Sequence, residues 1–309
     1  MENKKNLLIL GSNGFLGKNV FELVKQDKKF NIFDLKGKKD LDLTKDDLLD
    51  NYLKDKNIDY IINCAAFVGG IAYGYDYPAE LIRKNTIMAS NIYHSSYLNN
   101  VKLLVNPISN CAYPEDQTLY LEENFWQGKP HDSVFEYGFS KKMLVALGNA
   151  YFKEYKLSSA NIVLSNMYGP FDHFEEKKSH ALGALIQKIH HAKNNSLDEI
   201  EVWGSGKPIR EWLYVEDGAT ALIKSLELEK GHFFFNIGVN KGMSIIDLAK
   251  KIAKHFEWNG KFILNEKMPD GAEEKRVVGT FMEDKFNWSP QMNIDDGIKV
   301  TIEWYEKNL

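Results

Sequence analysis

The stretch Gly11-Ser12-Asn13-Gly14-Phe15-Leu16-Gly17 follows the apolar run Leu7 to Leu10 and opens a segment of helical period from Phe15 to Lys25. A strand that turns on glycines into a helix lets backbone N–H groups approach a pyrophosphate at the positive end of that helix. The spacing G-x-x-G-x-x-G in this context predicts a dinucleotide-binding turn. Working outward, Asn6 to Leu10, Phe30 to Leu35, Tyr60 to Asn63, Lys102 to Val105 and Ala160 to Leu164 read as strands. Between them lie helical segments. Thr44, with Asp46 and Asp47 after it, looks like a capped helix start, Pro78 opens a long helix to about Asn99, and another runs from about Tyr137 to Tyr155. Alternation of this kind predicts an α/β fold: a doubly wound parallel sheet of the Rossmann type, with a smaller C-terminal lobe.

Composition narrows the function classes. Of 309 residues 44% are hydrophobic, ample for a packed core, which excludes a disordered or fibrous chain. Lys and Arg total 39 against 43 Asp and Glu, so the charge of -4 offers no electrostatic case for nucleic acid. Only Cys64 and Cys111 occur, which excludes a disulfide framework and makes a reducing, cytoplasmic setting the expectation. The apolar run ended by Gly11 is too short for a signal peptide, and the uncharged stretch Ile61 to Tyr75 falls short of a bilayer span. No membrane partner is expected.

Beyond Asn166 the texture changes. A loop rich in glycine, proline, histidine and charge runs from Tyr168 to His180, followed by a helix, a short strand around Ile200 to Trp203 and the glycine turn Gly204 to Gly206. Glu216 to Leu228 returns to helical period and His232 to Ile237 to strand. Ser244 then caps an amphipathic helix whose apolar face carries Ile245, Ile246, Leu248, Ala249, Ile252, Ala253 and Phe256. The expected division is residues 1–167 with 211–240 for the dinucleotide, and 168–210 with 241–309 as the substrate lobe.

Tyr137 and Lys141 form Y-x-x-x-K, a spacing that puts both side chains on one helix face. A tyrosine of ordinary pKa, about 10, is a poor acid–base catalyst at neutral pH unless a nearby cation stabilises its phenolate. Lys141 supplies that cation. Ser109 is read just past the fourth strand, where doubly wound sheets present groups to ligands, and can hydrogen-bond a substrate carbonyl. Cofactor choice stays open at this point. Asp34 at the end of the second strand suits a ribose 2'-OH and NAD, while Lys36, Lys38 and Lys39 suit a 2'-phosphate and NADP.

Longer motifs go further. Asn63-Cys64-Ala65-Ala66-Phe67-Val68-Gly69-Gly70-Ile71, Ser109-Asn110-Cys111-Ala112-Tyr113-Pro114, Tyr168-Gly169-Pro170, Ser179-His180 and Val202-Trp203-Gly204-Ser205-Gly206-Lys207-Pro208-Ile209-Arg210-Glu211-Trp212 occur in that order. With them the chain resembles the extended short-chain dehydrogenase/reductases over nearly its whole length, and within them the GDP-L-fucose synthase family. The resemblance implies reduction of a GDP-linked 4-keto-6-deoxy sugar: hydride passes to C4, Tyr137 protonates the alkoxide, Lys141 supports Tyr137, and Ser109 orients the ketone. It implies that Cys111 and His180 invert C3 and C5, and that Asn166, Lys188, Trp203 and Arg210 line the nucleotide-sugar site. It also implies cofactor contacts from Gly11, Asn13, Gly14, Phe15, Leu16, Gly17, Asp34, Lys36, Asp42, Leu43, Ala65 and Ala66, together with Tyr137 and Lys141. NADP(H) is favoured, and NAD(H) stays open.

Departures from the family bear on the sugar. Lys188 stands where the family has an arginine, losing bidentate geometry. The family's Pro-Asp-Gly-Thr-Pro-Arg-Lys reads Pro269-Asp270-Gly271-Ala272-Glu273-Glu274-Lys275, Asn110 replaces a serine, and Asn13 stands at an often basic position. The first three of these changes fall near the expected sugar and diphosphate and point to a related sugar such as a 6-deoxy-heptose. A reductase without epimerase activity and a nucleotide-sugar 4-epimerase remain alternatives, and the intact Ser109, Tyr137 and Lys141 set argues against a non-catalytic NADP-binding scaffold. His173, Glu175, Glu176, His180, His190 and His191 fit no compact ligand set, so no metal is expected. Helices around Thr86 to Leu98 and Phe139 to Phe152 are apolar on more than one face, and similar enzymes pair them into a dimer interface; a homodimer is expected.

Overall fold

Leu7, Leu8, Ile9 and Leu10 alternate between two faces, and all four are fully buried. Only a strand covered by helices on both faces gives that pattern. The computed structural model, which describes residues 4–68, 71–175, 179–268, 270 and 272–309, has this arrangement. Gly69, Gly70, Glu176, Pro269 and Gly271 lie outside the described residues. In chain order the elements are β1 (Lys5–Leu10), α1 (Phe15–Val24), β2 (Phe30–Leu35), α2 (Leu48–Leu53), β3 (Tyr60–Asn63), α3 (Ile71–Asp76), α4 (Pro78–Leu98), β4 (Leu103–Ser109) and β5 (Leu119–Tyr120). There follow α5 (Phe135–Tyr155), β6 (Ser158–Leu164), β7 (Asn166–Tyr168), α6 (Ala181–Asn194), β8 (Glu199–Trp203), β9 (Ile209–Tyr214), α7 (Val215–Lys224) and β10 (His232–Ile237). The chain ends with β11 (Gly242–Ser244), α8 (Ile245–His255), β12 (Lys261–Asn265), β13 (Glu274–Val277), α9 (Phe281–Phe286) and α10 (Ile294–Lys307).

Six parallel strands form the main sheet in the order β10-β6-β4-β3-β1-β2. The direction of winding reverses between β1 and β3, so a crevice opens beyond their carboxyl ends. Leu8, Leu10, Ile61 and Leu104 pack under α4 and α5 through Ile92, Tyr93, Leu144 and Val145. Leu7, Ile9, Ile62 and Val105 pack on the other face under α1 and α7 through Val20, Ala219 and Leu222. A third core joins α6, α8 and α10 through Ile186, Ile189, Leu248, Ile252, Ile298 and Ile302. The parallel pair β8 and β12 and the sheet β11-β9-β13-β5 complete the smaller lobe, with β7 pairing β9.

Three expectations need correction. Thr44 caps no helix: its hydroxyl donates to the Asp42 carboxylate at 2.6 Å, and α2 begins at Leu48. Ser109 is the last residue of β4, which continues past Val105, paired with β6 alone; Pro107 is tolerated because the ladder to β3 has ended. The helix after Tyr214 ends at Lys224 and tightens into a 3-10 turn over Ser225–Glu227. Ser244 does cap α8, accepting the Asp247 N–H at 3.1 Å. Among the described residues no helix is long and apolar enough to cross a membrane.

β9 belongs to both lobes. Trp212 and Tyr214 enter the third core, while Leu213, followed by Val215 at the start of α7, enters the core under α1 and α7. Residue 211, where the expected division falls, lies inside this strand. Glu211 is fully buried and accepts N–H bonds from Val239, from Asn240 at 2.7 Å and from Val277 at 2.6 Å. Its own carbonyl accepts the Asn166 amide at 3.1 Å. Glu211→Ala leaves the buried Val277 N–H without its partner, at about 1–3 kcal/mol, and releases the part-buried Val239 and Asn240 N–H groups. We expect a loss of about 1–3 kcal/mol or more in urea unfolding; an unchanged midpoint would contradict this role.

Candidate active site

The glycine turn is shaped by close backbone approach. Gly11 has φ 76°, and a Cβ there would lie 2.8 Å from the Ala65 nitrogen. A Cβ on Gly17 would lie 2.1 Å from the Gly11 carbonyl oxygen. Gly14, by contrast, is exposed and extended at the start of α1, where no side chain caps the helix. The N–H groups of its first turn are therefore presented to the crevice with the positive end of the helix dipole. Asn13 is exposed beside them, Phe15 is half-buried, and Leu16 and Gly17 are packed beneath. This cradle fits a dinucleotide pyrophosphate.

Around it stand the other expected cofactor positions. Asp34 accepts the Ser12 hydroxyl at 3.0 Å. The turn after β2 folds back through Lys36 N–H to the Asp40 carboxylate at 2.7 Å, and Lys38 pairs with Asp42 at 3.4 Å. The Thr44 hydroxyl holds the Asp42 carboxyl below its ordinary pKa. Leu43 is buried, and its carbonyl accepts the Asn91 amide at 3.0 Å. After β3, Asn63 accepts the Ala65 N–H at 3.2 Å and donates to Asn106 at 3.0 Å. Asn106 in turn donates to the Tyr93 hydroxyl and to Asn161, each at 3.1 Å. These buried amides pin the strand ends that carry Ala65, Ala66 and Ser109.

Tyr137 and Lys141 lie in the first turns of α5, with the ammonium 5.5 Å from the ring centroid. Burial pushes the Lys141 pKa down to about 8, and burial together with the nearby Cys111 raises that of Tyr137. Facing them, the Ser109 hydroxyl accepts the Cys111 N–H at 3.4 Å. Gly138 allows this approach: a Cβ there would sit 2.6 Å from the Cys111 carbonyl oxygen. Burial raises the Cys111 thiol, against opposing pulls from Ser109, Lys141 and Lys275. Ser109, Cys111, Tyr137 and Lys141 thus form one cluster, and Lys275 joins it. Cys64 is a different thiol, raised to about 12 by burial and facing Lys141.

The remaining expected residues line the second lobe. Asn166 accepts the Asn110 amide at 3.2 Å, linking the Cys111 turn to β7. Arg210 donates to the Ile209 carbonyl at 2.8 Å and to that of Asp270 at 3.3 Å, and burial lowers its pKa. Lys188 places its ammonium 5.3 Å from the ring centroid of Trp203, which is 52% exposed. His180 stands at the start of α6, its pKa lowered by desolvation and by His173. No hydrogen bond joins it to Cys111 among the described residues. No three His, Cys, Asp or Glu side chains converge as a metal set among them either.

Sequence reasoning missed Asp172, Lys275 as a neighbour of Cys111, and Glu211. Asp172 is buried, and its carboxyl rises to about 7 for that reason. Only the tertiary fold encloses it, so no local pattern marked it. A cleft of about 430 Å³ also opens at the opposite end of the main sheet, between Tyr60, Tyr97, Lys102, Tyr155 and Lys230. None of the groups above lines it.

Comparison with known proteins points to one family. The chain is 30% identical to GDP-L-fucose synthase 1 of Arabidopsis thaliana, covering 100% of this chain and 95% of the relative. It is 30% identical to GDP-L-colitose synthase of Yersinia pseudotuberculosis, covering 98% and 99%. A crystal structure of a GDP-L-fucose synthetase from Naegleria fowleri bound to NADP superposes with TM-score 0.92 at 27% identity, over 100% of this chain and 94% of that one. Residues 7–238 match the model of the NAD dependent epimerase/dehydratase family, and the chain belongs to that family.

Proposed function

We propose that this chain is an NADPH-dependent reductase acting on the 4-keto group of a GDP-linked 4-keto-6-deoxy sugar, hexose or heptose. The observation that carries the reading is the cluster of Ser109, Tyr137 and Lys141 at the carboxyl end of β4, facing a glycine cradle that fits a dinucleotide. Residues 1–167 with 211–240 hold the dinucleotide in this reading, and 168–210 with 241–309 hold the sugar nucleotide in the cytoplasm. The reduced nicotinamide, when bound, supplies hydride to sugar C4. Ser109 orients the ketone by donating its hydroxyl, and Tyr137 gives its phenolic proton to the developing alkoxide. Lys141 stabilises the phenolate left behind. Arg210 binds the diphosphate through charge-assisted bonds, with Asn166 and Lys188 beside it and Trp203 offering a ring face.

Cys111 and His180 are the candidates for inversion at C3 and C5, where protons next to a ketone are acidified. That chemistry needs one partner as base and the other as acid. A second reading is favoured by a specific observation. Burial raises the Cys111 thiol, His180 is exposed at the start of α6 with its pKa shifted down rather than up, and no hydrogen bond joins the two among the described residues, none of which favours a thiolate facing an imidazolium. On that reading the enzyme reduces C4 without epimerisation. The departures at Lys188 and at Ala272, Glu273 and Glu274 support a heptose or another variant sugar.

NADPH oxidation with GDP-4-keto-6-deoxy-mannose or the matching heptose, run in deuterated water with product NMR, separates these readings. Oxidation with deuterium at C3 or C5 is expected if Cys111 and His180 act, and oxidation without it leaves a C4 reductase. No oxidation with either sugar would sink the proposal. A pH dependence follows from Lys141, which is a cation below about 8 and neutral above. We expect kcat to fall as pH rises through about 8, and Lys141→Arg to move that limb to higher pH. A profile identical in the variant would remove Lys141 from this role.

We also propose a homodimer formed by α4 and α5. Leu98, Phe139 and Tyr155 on these helices are exposed, and Tyr97 stacks on Tyr155 with centroids 4.0 Å apart. Sedimentation at micromolar concentration should give a dimer; a monomer would count against this interface.

A further inference from the structure

Ser109 ends β4 and Asn110, Cys111 and Ala112 form a tight 3-10 turn directly after it. The Ser109 hydroxyl accepts the Cys111 N–H at 3.4 Å, and the Asn110 carbonyl accepts the Tyr113 N–H at 3.1 Å. A turn closed at both ends moves as a unit, so whatever holds Asn110 also holds Ser109 and Cys111. Two amides in series hold it. The Asn110 side chain donates to the Asn166 carbonyl oxygen at 3.2 Å, and the Asn166 amide donates in turn to the Glu211 carbonyl at 3.1 Å. Both bonds are partly buried, where a polar network is stronger than in water.

The far end of this series is anchored. Asn166 of β7 is in register with Trp212 of β9, and Glu211 directly follows Arg210. On the reductase reading the sugar ketone lies against Ser109 and the diphosphate against Arg210, so the two amides run between the groups that meet the two ends of the substrate. Asparagine at position 110 is what makes the link. A serine, which the family has at this place, ends one bond earlier and reaches less far toward Asn166. Because Asn166 uses its carbonyl oxygen on Asn110 and its amide nitrogen on Glu211, contacts within the protein set its orientation.

We propose that Asn110 is a positioning residue: through Asn166 it fixes the turn of Ser109 and Cys111 relative to Arg210, so that a sugar nucleotide seated by its diphosphate brings its ketone to Ser109 and Tyr137. This rests on the reductase reading of the site.

The test is single-turnover reduction of GDP-4-keto-6-deoxy-mannose or the matching heptose by the full chain, followed by loss of NADPH absorbance. Enzyme is in excess over sugar, at concentrations where the rate constant no longer rises, so an unfolded fraction does not change it. Asn110→Ser should lower that rate constant by about tenfold or more, the scale of a slightly misplaced reacting group, while Kd values for GDP and NADPH stay within about threefold. Asn166→Ala should lower it to a similar extent, and the double variant no further than the slower single one, because both changes cut the same link. An unchanged rate constant in Asn110→Ser, a loss of GDP affinity as large as the loss of rate, or a double variant slowed by the product of the two single effects overturns the proposal and leaves the reductase reading intact. No oxidation of NADPH by the unaltered protein with either sugar overturns that reading and this proposal with it.

Discussion

A buried carboxylate holds the two lobes to one another. Glu211 is fully enclosed, and no ion pair reaches it among the described residues. Removing a charge from water costs several kcal/mol unless it is compensated. Here three backbone N–H groups from two separate segments converge on it, and charge-assisted bonds of this kind are the strong ones. Because Val277 lies two residues after Lys275, and Arg210 precedes Glu211 directly, the same contact sets where both cations stand. Asn166 is tied to it as well, through the Glu211 carbonyl. Three chain segments that carry Asn166, Arg210 and Lys275 thereby acquire one shared reference point.

The cluster of Ser109, Cys111, Tyr137 and Lys141 depends on a second constraint, the absence of side chains where backbones meet. Gly11 and Gly17 bring the first turn against Ala65, and Gly138 brings α5 against the Cys111 turn. Without the last approach, Tyr137 and Ser109 would not face one space. Burial then does the electrostatic tuning. It lowers Lys141 toward neutrality and raises Tyr137, so the phenol of the unliganded protein holds its proton, as the proposed donor role requires. A neutral phenol is the form a ketone reductase needs.

Local patterns made the main sheet legible. Phe30–Leu35, Tyr60–Asn63 and His232–Ile237 follow the sequence boundaries residue for residue, because β-branched and aromatic runs bounded by turns leave few alternatives. The cluster of Ser109, Tyr137 and Lys141 was equally visible, since strand ends and helical spacing place such residues without further information. Other features were not visible because they exist only once segments meet. β5 and β13 are short and pair across more than 150 positions in sequence, as Arg276 does with Leu119. Asp172 and Glu211 look like ordinary surface acids until tertiary packing encloses them. Thr44 misled for a local reason: a hydroxyl able to cap a helix was claimed instead by Asp42, two residues away.

The central claim is that hydride moves from a nicotinamide in the glycine cradle to C4 of a keto sugar held beneath Tyr137. Reaction with nicotinamide cofactor deuterated at the transferring C4 position, followed by NMR of the sugar product, tests it most directly. The account requires the label at sugar C4 and nowhere else. Product whose C4 carries only protium, or a turnover that returns the label to the nicotinamide, would contradict it.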